Sequence, residues 1–203
     1  DATINDILLA AIFRAFSKIG EWDGKAALRM AMTIDLRRYL PERKAESIAN
    51  FSSIEIVTYG TDMEDSFEST LTHVVGMIGK RKSSWLGLNP FSSALMGVWG
   101  LPFPILKPIV KKSWEAKSHT SGAFDLFTNM GDIPLENVNL GGRPTRAWLL
   151  PPDCSLPMLF FGCSGYDGAL TLSASVLPDA TDTIEKFSDL IISELPLTAV
   201  REK

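Results

Sequence analysis

Few side chains in this 203-residue sequence are spaced for catalysis. The two histidines, His73 and His119, are far apart and have no cysteine beside them, so they show no metal-ligand spacing. Cys163 follows an apolar run and is expected to be an inert buried thiol. Cys154 lies in a proline-containing loop, and neither cysteine has the basic neighbour that activates a nucleophile. We therefore predict surface histidines, no metal site and no self-contained active site.

The elements that would position a site follow from hydrophobic periodicity. Apolar residues at helical spacing predict a heavily covered helix over 2–20, with Thr3 and Asp6 as a capping box. Strict alternation predicts a strand over 27–37, and a second strand is expected over 51–59. An amphipathic helix is predicted over 63–80.

The second half of the sequence is richer in strands. Strands are predicted over 123–131, 145–150, 158–163 and 169–176, and a helix over 180–195. Asp167-Gly168 between two apolar runs indicates a β-hairpin, so part of the sheet is antiparallel. The order of elements predicts an α/β (α+β) two-layer sandwich, in which a mixed sheet has helices packed on one face.

Composition excludes several classes of protein. The chain is 45% hydrophobic and 22% charged, which is ordinary for a globular protein. Its net charge of −4 argues against nucleic-acid binding. Two cysteines are too few for a disulfide scaffold. The chain begins at Asp1 without a signal-like segment, and we interpret it as a piece of a longer, cytoplasmic protein.

Residues 80–119 form a basic and apolar segment within an acidic chain. They carry seven basic residues and one acidic residue, a net charge of +6 against −10 for the remainder. Between Lys82 and Lys107 lie 24 uncharged residues, but their prolines and glycines argue against a transmembrane helix. The favoured interpretation is a solvated helix face around 105–117, with lysine stems over the core. Residues 83–106 are also expected to dock on another domain or an oligomer mate.

Five motifs, in order along nearly the whole chain, resemble the second half of the condensation-type acyltransferases. This family includes the condensation domains of nonribosomal peptide synthetases, alcohol acetyltransferases and chloramphenicol acetyltransferase. The similar segments are Asp1-Ala-Thr-Ile-Asn-Asp-Ile-Leu-Leu-Ala-Ala11, Thr33-Ile-Asp-Leu-Arg37 followed by Arg38-Tyr-Leu-Pro41, Asn50 before the next strand, Phe124-Asp-Leu-Phe-Thr-Asn-Met-Gly131, and Gly165-Tyr-Asp-Gly-Ala-Leu-Thr-Leu-Ser173. The terminal helix fits as well.

The resemblance implies a V-shaped molecule of two similar halves with the active site in the tunnel between them. The family's catalytic histidine lies in a His-His-x-x-x-Asp-Gly motif in the first half, and this sequence has no such motif. Residues 1–203 would then be a single C-terminal subdomain, with the apolar and basic insertion at about 80–119. Its partners would be the missing N-terminal half and a small-molecule acyl donor and acceptor. No cofactor would be bound covalently, since coenzyme A or a carrier-protein thioester would donate the acyl group.

Four residues are candidates for the tunnel wall under this resemblance. Thr128 and Asn129 would face the tunnel and stabilise the oxyanion. Asn129 and Gly131 would also contact substrate, although an equally favoured alternative is that they only shape a turn. Arg37 would reach a phosphate, or it would brace its strand by pairing with a carboxylate, which is the favoured alternative.

Three functional hypotheses follow. The first is half of a thioester-dependent acyltransferase that acts on an alcohol or amine and is inactive alone. The second is a non-catalytic binding or assembly domain with the same fold. The third and weakest is a membrane-surface protein that uses residues 83–112, the segment through which an oligomer could also form.

Overall fold

The computed structural model of this chain describes residues 2–19, 22–88, 101–119, 125–134, 141–142, 144–152, 159–175 and 181–196. Within these ranges there are four α-helices, five β-strands and two short 3-10 turns. The helices are α1 (Ile4–Ile19), α2 (Phe67–Lys82), α3 (Phe103–His119) and α4 (Thr181–Glu194). The strands are β1 (Leu28–Asp35), β2 (Ser52–Gly60), β3 (Asp125–Asp132), β4 (Phe160–Tyr166) and β5 (Ala169–Ser175), and the 3-10 turns are Leu36–Tyr39 and Pro41–Arg43.

Helix α1 begins with the predicted capping box. The Asp6 carboxylate accepts hydrogen bonds from the Thr3 backbone N–H at 2.8 Å and from the Thr3 hydroxyl at 2.7 Å. Six consecutive residues, Leu8–Phe13, are all buried. A helix that is buried around its whole circumference needs apolar residues off its main stripe as well. The expectation of a heavily covered helix is confirmed.

Helix α2 begins four residues later than the periodicity predicted. The Ser66 hydroxyl accepts a hydrogen bond from the Ser69 backbone N–H at 3.1 Å, so Ser66 is the N-cap. A serine at this position satisfies a backbone donor that the helix itself leaves unpaired. The helix start is therefore set by this local hydrogen bond, whereas apolar spacing also includes Met63.

The five strands form one mixed sheet in the order β2-β1-β3-β4-β5. Strand β3 runs parallel to β4, and β4 runs antiparallel to β5. The β4–β5 turn is formed by Asp167 and Gly168, whose φ angles are 49° and 80°. Two consecutive positive φ angles are typical of the type I′ hairpin turn that Asp-Gly predicts. The predicted α+β class with a mixed sheet is confirmed.

Contacts divide the chain into two compact units, and the first contains the described residues of Asp1–Met30, Val57–Ser84 and Val176–Lys203. Arg14 of α1 links the helices of this unit. Its Nε lies 2.5 Å from a Glu194 carboxylate oxygen, and its Nη1 donates to the Glu64 carbonyl at 2.8 Å and to the Thr70 hydroxyl at 3.1 Å. Lys18 binds the other oxygen of the Glu194 carboxylate. This largely buried cluster holds α1 against α2 and α4.

The second unit contains the described residues of Ala31–Ile56 and Trp85–Ser175. Phe127, Phe161 and Cys163 are buried within it. The loop after α2 is fixed to β2 by two buried polar side chains. Ser53 donates its hydroxyl to the Gly87 carbonyl at 2.5 Å, and the Glu55 carboxylate accepts from the Gly87 N–H at 3.1 Å.

The predicted strand over 145–150 is wrong, because these residues adopt no strand. Hydroxyl groups of β4 and β5 bind the backbone of this segment instead. Ser164 accepts from the Leu149 N–H at 3.0 Å, and Ser173 donates to the Leu149 carbonyl at 2.6 Å. Each backbone polar group needs a partner, and those of Leu149 find theirs in these two side chains. The segment therefore packs on the face of the sheet and forms no backbone hydrogen-bond ladder with a strand.

Residues 89–100, the centre of the apolar run at 83–106, lie outside the described residues. Helix α3 covers the end of that run and all of 105–117, where a helix was expected. Among the described residues, no helix is both long enough and apolar enough to cross a membrane.

Candidate functional site

A pair of threonine hydroxyls joins the two central strands of the sheet. The hydroxyl oxygens of Thr33 on β1 and Thr128 on β3 lie 2.6 Å apart, which is a short hydrogen bond. Both side chains are half-buried. Thr128 is therefore one of two coupled hydroxyls.

This hydroxyl pair has donor capacity left over. Each hydroxyl supplies one proton and accepts through two lone pairs. The hydrogen bond between the two oxygens uses one proton, which leaves the other for a group approaching the sheet. The hydroxyl that accepts also becomes a better donor, because hydrogen bonds in a chain polarise one another. The pair is thus suited to donating to a developing negative charge.

Small side chains continue from this pair across the sheet. Thr128 is in register with Gly162 on β4, and Gly162 is in register with Ser173 on β5. A Cβ atom at Gly162 would lie 2.9 Å from the Ser173 hydroxyl oxygen and 3.2 Å from Pro151 Cγ. Glycine is therefore required there, because residues 149–151 lie directly on the sheet. We call Thr33, Thr128, Gly162 and Ser173 the small-residue row. Residues 149–151 cover this row at Gly162 and Ser173, next to the threonine pair.

Asn129 lies on the other face of β3 from Thr128, because successive residues of a strand alternate. Its side-chain oxygen accepts a hydrogen bond from the Gly131 N–H at 2.8 Å. Gly131 has a φ of 73°, and the register between β3 and β4 shifts between Asn129 and Asp132. The hydrogen bond between Asn129 and Gly131, at this register shift, is typical of a residue that stabilises a β-bulge. A substrate cleft on one face of the sheet would therefore be lined by only one of the two side chains, Thr128 or Asn129. Their catalytic and substrate-binding roles stay predictions.

Arg37 follows β1 and forms an ion pair with Asp35. Its Nε lies 2.9 Å and 3.1 Å from the two Asp35 carboxylate oxygens. This hydrogen bond raises the pKa of Arg37, and it is also the main reason that the pKa of Asp35 is lowered. Both side chains are exposed. Arg37 is thus paired with a carboxylate, whereas bracing of the strand and binding of a substrate phosphate both stay predictions.

The histidine and cysteine side chains that the structure describes are not members of the small-residue row. His73 is exposed, stacks on Tyr59 at a ring distance of 4.7 Å and belongs to the first unit. Cys163 is fully buried, as predicted, and burial raises the pKa of its thiol to about 11. His119 is the last residue of α3, and Cys154 lies outside the described residues. Among the described residues, no three metal-ligating side chains come together.

Sequence reasoning missed two residues of interest. Thr33 stands in the Thr-Ile-Asp-Leu-Arg motif, but the strand order that brings it to Thr128 is not readable from the sequence. Asp125 begins β3, and its carboxylate accepts from the Leu159 N–H at 3.0 Å. Burial raises the pKa of Asp125 to about 6. An aspartate just before an apolar strand was the only available signal.

Comparisons of sequence give no match: neither a family model nor a curated protein is similar to this chain.

Comparisons of structure give several matches. Trichothecene 15-O-acetyltransferase from Fusarium sporotrichioides aligns with a TM-score of 0.60 and 16% identity over 96% of this chain. The epimerization domain from the third module of tyrocidine synthetase B aligns at 0.56 with 13% identity, also over 96%. The EpoB cyclization-docking bidomain from Sorangium cellulosum aligns at 0.55 with 15% identity over 96%.

These similarities show the fold. The chain has the condensation and chloramphenicol-acetyltransferase-like acyltransferase fold, as the sequence motifs predicted. The alignments cover 42%, 41% and 37% of these three neighbours in turn, so the chain spans about two fifths of their length.

Proposed function

We propose that this chain is the C-terminal half of a thioester-dependent acyltransferase that transfers an acyl group to an alcohol or an amine. The observation that carries the proposal is the hydroxyl pair of Thr33 and Thr128, 2.6 Å apart on the central strands. The structural neighbours include an acetyltransferase, which supports acyl transfer over a purely structural role. The donor would be coenzyme A or a carrier-protein thioester.

The chemistry requires a base, an electrophile and an oxyanion donor. An imidazole removes the proton of the acceptor hydroxyl or amine, whose oxygen or nitrogen attacks the thioester carbonyl. The carbonyl oxygen gains the negative charge. The tetrahedral intermediate then expels the sulfur, which leaves as a thiol after taking a proton from the imidazolium. The products are an ester or amide and the free thiol.

Thr128 would donate its hydroxyl proton to the oxyanion. Thr33 would position that proton by donating its own to Thr128 Oγ1. This arrangement costs no reorganisation during the reaction, since the two oxygens already lie at hydrogen-bonding distance. Asn129 and Gly131 would shape the bulge at the end of β3, and Arg37 would steer a phosphate-bearing donor from its exposed position.

The catalytic base would come from outside these 203 residues. The sequence holds two histidines, and neither is followed by the aspartate and glycine of the family motif. His73 stacks on Tyr59 in the other unit from Thr128. The isolated chain is therefore expected to bind the donor weakly and to transfer no acyl group.

Thr128→Val in the complete gene product tests this proposal. Valine keeps the shape of threonine and removes the hydroxyl, so kcat should fall about 100-fold, the cost of losing one oxyanion donor. The KM for the donor should change little, because the oxyanion exists only in the transition state. Thr128→Ser should recover most of the activity.

Thr58→Val is the matched control, since Thr58 is an exposed strand residue of β2. Its kcat should equal that of the wild type. Thr33→Val should lower kcat less than Thr128→Val, because it removes a positioning group. If Thr128→Val folds and retains full kcat, the oxyanion role is refuted.

A further inference from the structure

Over its first ten residues, Phe103–Lys112, helix α3 has one apolar half and one basic half. At 100° per residue, the apolar half carries Phe103, Ile105, Leu106 and Ile109. The opposite half carries Lys107, Lys111 and Lys112, together with the helix's two prolines. This division is typical of helices that lie at an interface between an apolar and a charged medium.

The apolar half of α3 is not used to build the core. The exposed fractions of Phe103, Ile105 and Ile109 are 71%, 51% and 45%. The sequence predicted lysine stems over a core at this helix, and these values place large apolar side chains at the surface instead. A patch of three neighbouring exposed apolar side chains is typical of a surface that binds a protein or a membrane.

The charge around α3 favours an anionic partner. No aspartate or glutamate occurs between Glu68 and Glu115, a stretch that includes residues 103–114 of α3. Lys107, Lys111 and Lys112 are exposed. A partner that presents negative charge next to an apolar layer would bind the lysines and the exposed apolar side chains of α3 at the same time.

Pro108 supports the same orientation. A proline inside a helix removes the hydrogen bond to the carbonyl four residues earlier, here that of Pro104. Both prolines lie on the basic half, so the unbonded carbonyl lies on the side that would remain in water. On the apolar half, the Ile105 and Leu106 N–H groups both donate to the Pro102 carbonyl, at 2.9 Å and 3.1 Å, and such pairing is what an apolar medium requires.

We propose that α3 binds the surface of an anionic lipid bilayer. Phe103, Ile105 and Ile109 would enter the acyl-chain boundary, and the three lysines would contact lipid phosphates. The helix would lie on the membrane without spanning it. The inference is independent of the proposed acyl transfer, because it rests on the surface of α3 alone.

Vesicle flotation of the 203-residue chain tests the proposal. The chain should float with vesicles of phosphatidylcholine and phosphatidylserine at low salt, and at least tenfold less with phosphatidylcholine alone or in 0.5 M salt. Lys107→Glu/Lys111→Glu/Lys112→Glu should lower the partition coefficient about 100-fold or more, at roughly fivefold per lysine. Ile105→Ser/Ile109→Ser should also abolish flotation.

The matched control is Lys25→Glu/Lys44→Glu/Lys186→Glu, which reverses three exposed lysines elsewhere and gives the same net charge. This control should float like the wild type. The proposal is overturned if the wild type does not float, if the control loses binding equally, or if the serine variant floats normally. Sedimentation equilibrium without lipid tests the alternative that α3 binds a second copy of the chain. That alternative would hold if the wild type does not float with vesicles but forms a dimer, and if Ile105→Ser/Ile109→Ser abolishes the dimer.

Discussion

Replacing Asp125 by asparagine should make the protein more stable at neutral pH and leave its stability at pH 4 unchanged. The carboxylate accepts a hydrogen bond from the Leu159 N–H at 3.0 Å, and an asparagine oxygen can accept the same bond. Burial raises the pKa of Asp125 from 3.8 to about 6. The substitution therefore removes a charge that burial penalises and keeps the contact between β3 and the residue before β4.

The sign and size of the effect follow from this pKa. Between pH 3.8 and about 6, the folded protein holds a proton on Asp125 that the unfolded chain has lost. The contribution of Asp125 to the free energy of unfolding of the wild type therefore falls as pH rises through this window. A shift of about two units corresponds to at most about 3 kcal/mol, at 1.36 kcal/mol per unit.

Urea denaturation at half-unit steps from pH 4 to pH 8 measures the effect. The difference in unfolding free energy between Asp125→Asn and the wild type should be near zero at pH 4 and reach a plateau of up to about 3 kcal/mol above pH 7. Asp132→Asn is the control, because Asp132 lies on the same strand and is exposed. A difference that does not vary with pH, or a wild type that is more stable than Asp125→Asn at pH 7, would show that burial does not penalise the Asp125 carboxylate.

Two further substitutions test the packing of each unit. Gly162→Ala should lower stability by about 1–3 kcal/mol in a thermal melt, because its Cβ would lie 2.9 Å from the Ser173 hydroxyl. Gly142→Ala, whose Cβ meets nothing within 4 Å, is its control, and equal losses would contradict this account of the sheet face. Glu194→Ala should cost about 2 kcal/mol at pH 7 by leaving Arg14 with an unpaired, largely buried charge. Burial raises the pKa of Glu194, but the hydrogen bonds from Lys18 and Arg14 outweigh burial and lower the pKa below its usual value of 4.5. The loss should therefore shrink as pH falls below 4.5, and a loss that is the same at every pH would show that the ion pair does not stabilise the fold.

Local features of the sequence predicted the helices and most strands. The Thr3 capping box, the alternation of β1 and the Asp-Gly turn each depend on residues close together in the chain. The segment 145–150 was mistaken for a strand because its apolar residues resemble one. Its true partners are hydroxyls of β4 and β5, more than ten residues away.

The candidate site depended on distant parts of the chain. Thr33 and Thr128 are separated by 95 positions, and only the β1–β3 adjacency brings their hydroxyls together. The opposite faces of Thr128 and Asn129 were readable in principle, because strand alternation requires them. The exposure of α3 was not, since a half-apolar helix in sequence is usually a helix packed on a core.

Acyl transfer by the complete gene product is the decisive test of whether this chain is half of an acyltransferase. The protein would be incubated with acyl-coenzyme A or acyl-carrier thioesters and a panel of alcohols and amines, and thiol release and the ester or amide mass would be recorded. We expect transfer by the complete protein and none by residues 1–203 alone. Equal turnover by the isolated chain, or a complete protein that has no histidine base and transfers no acyl group, would contradict it.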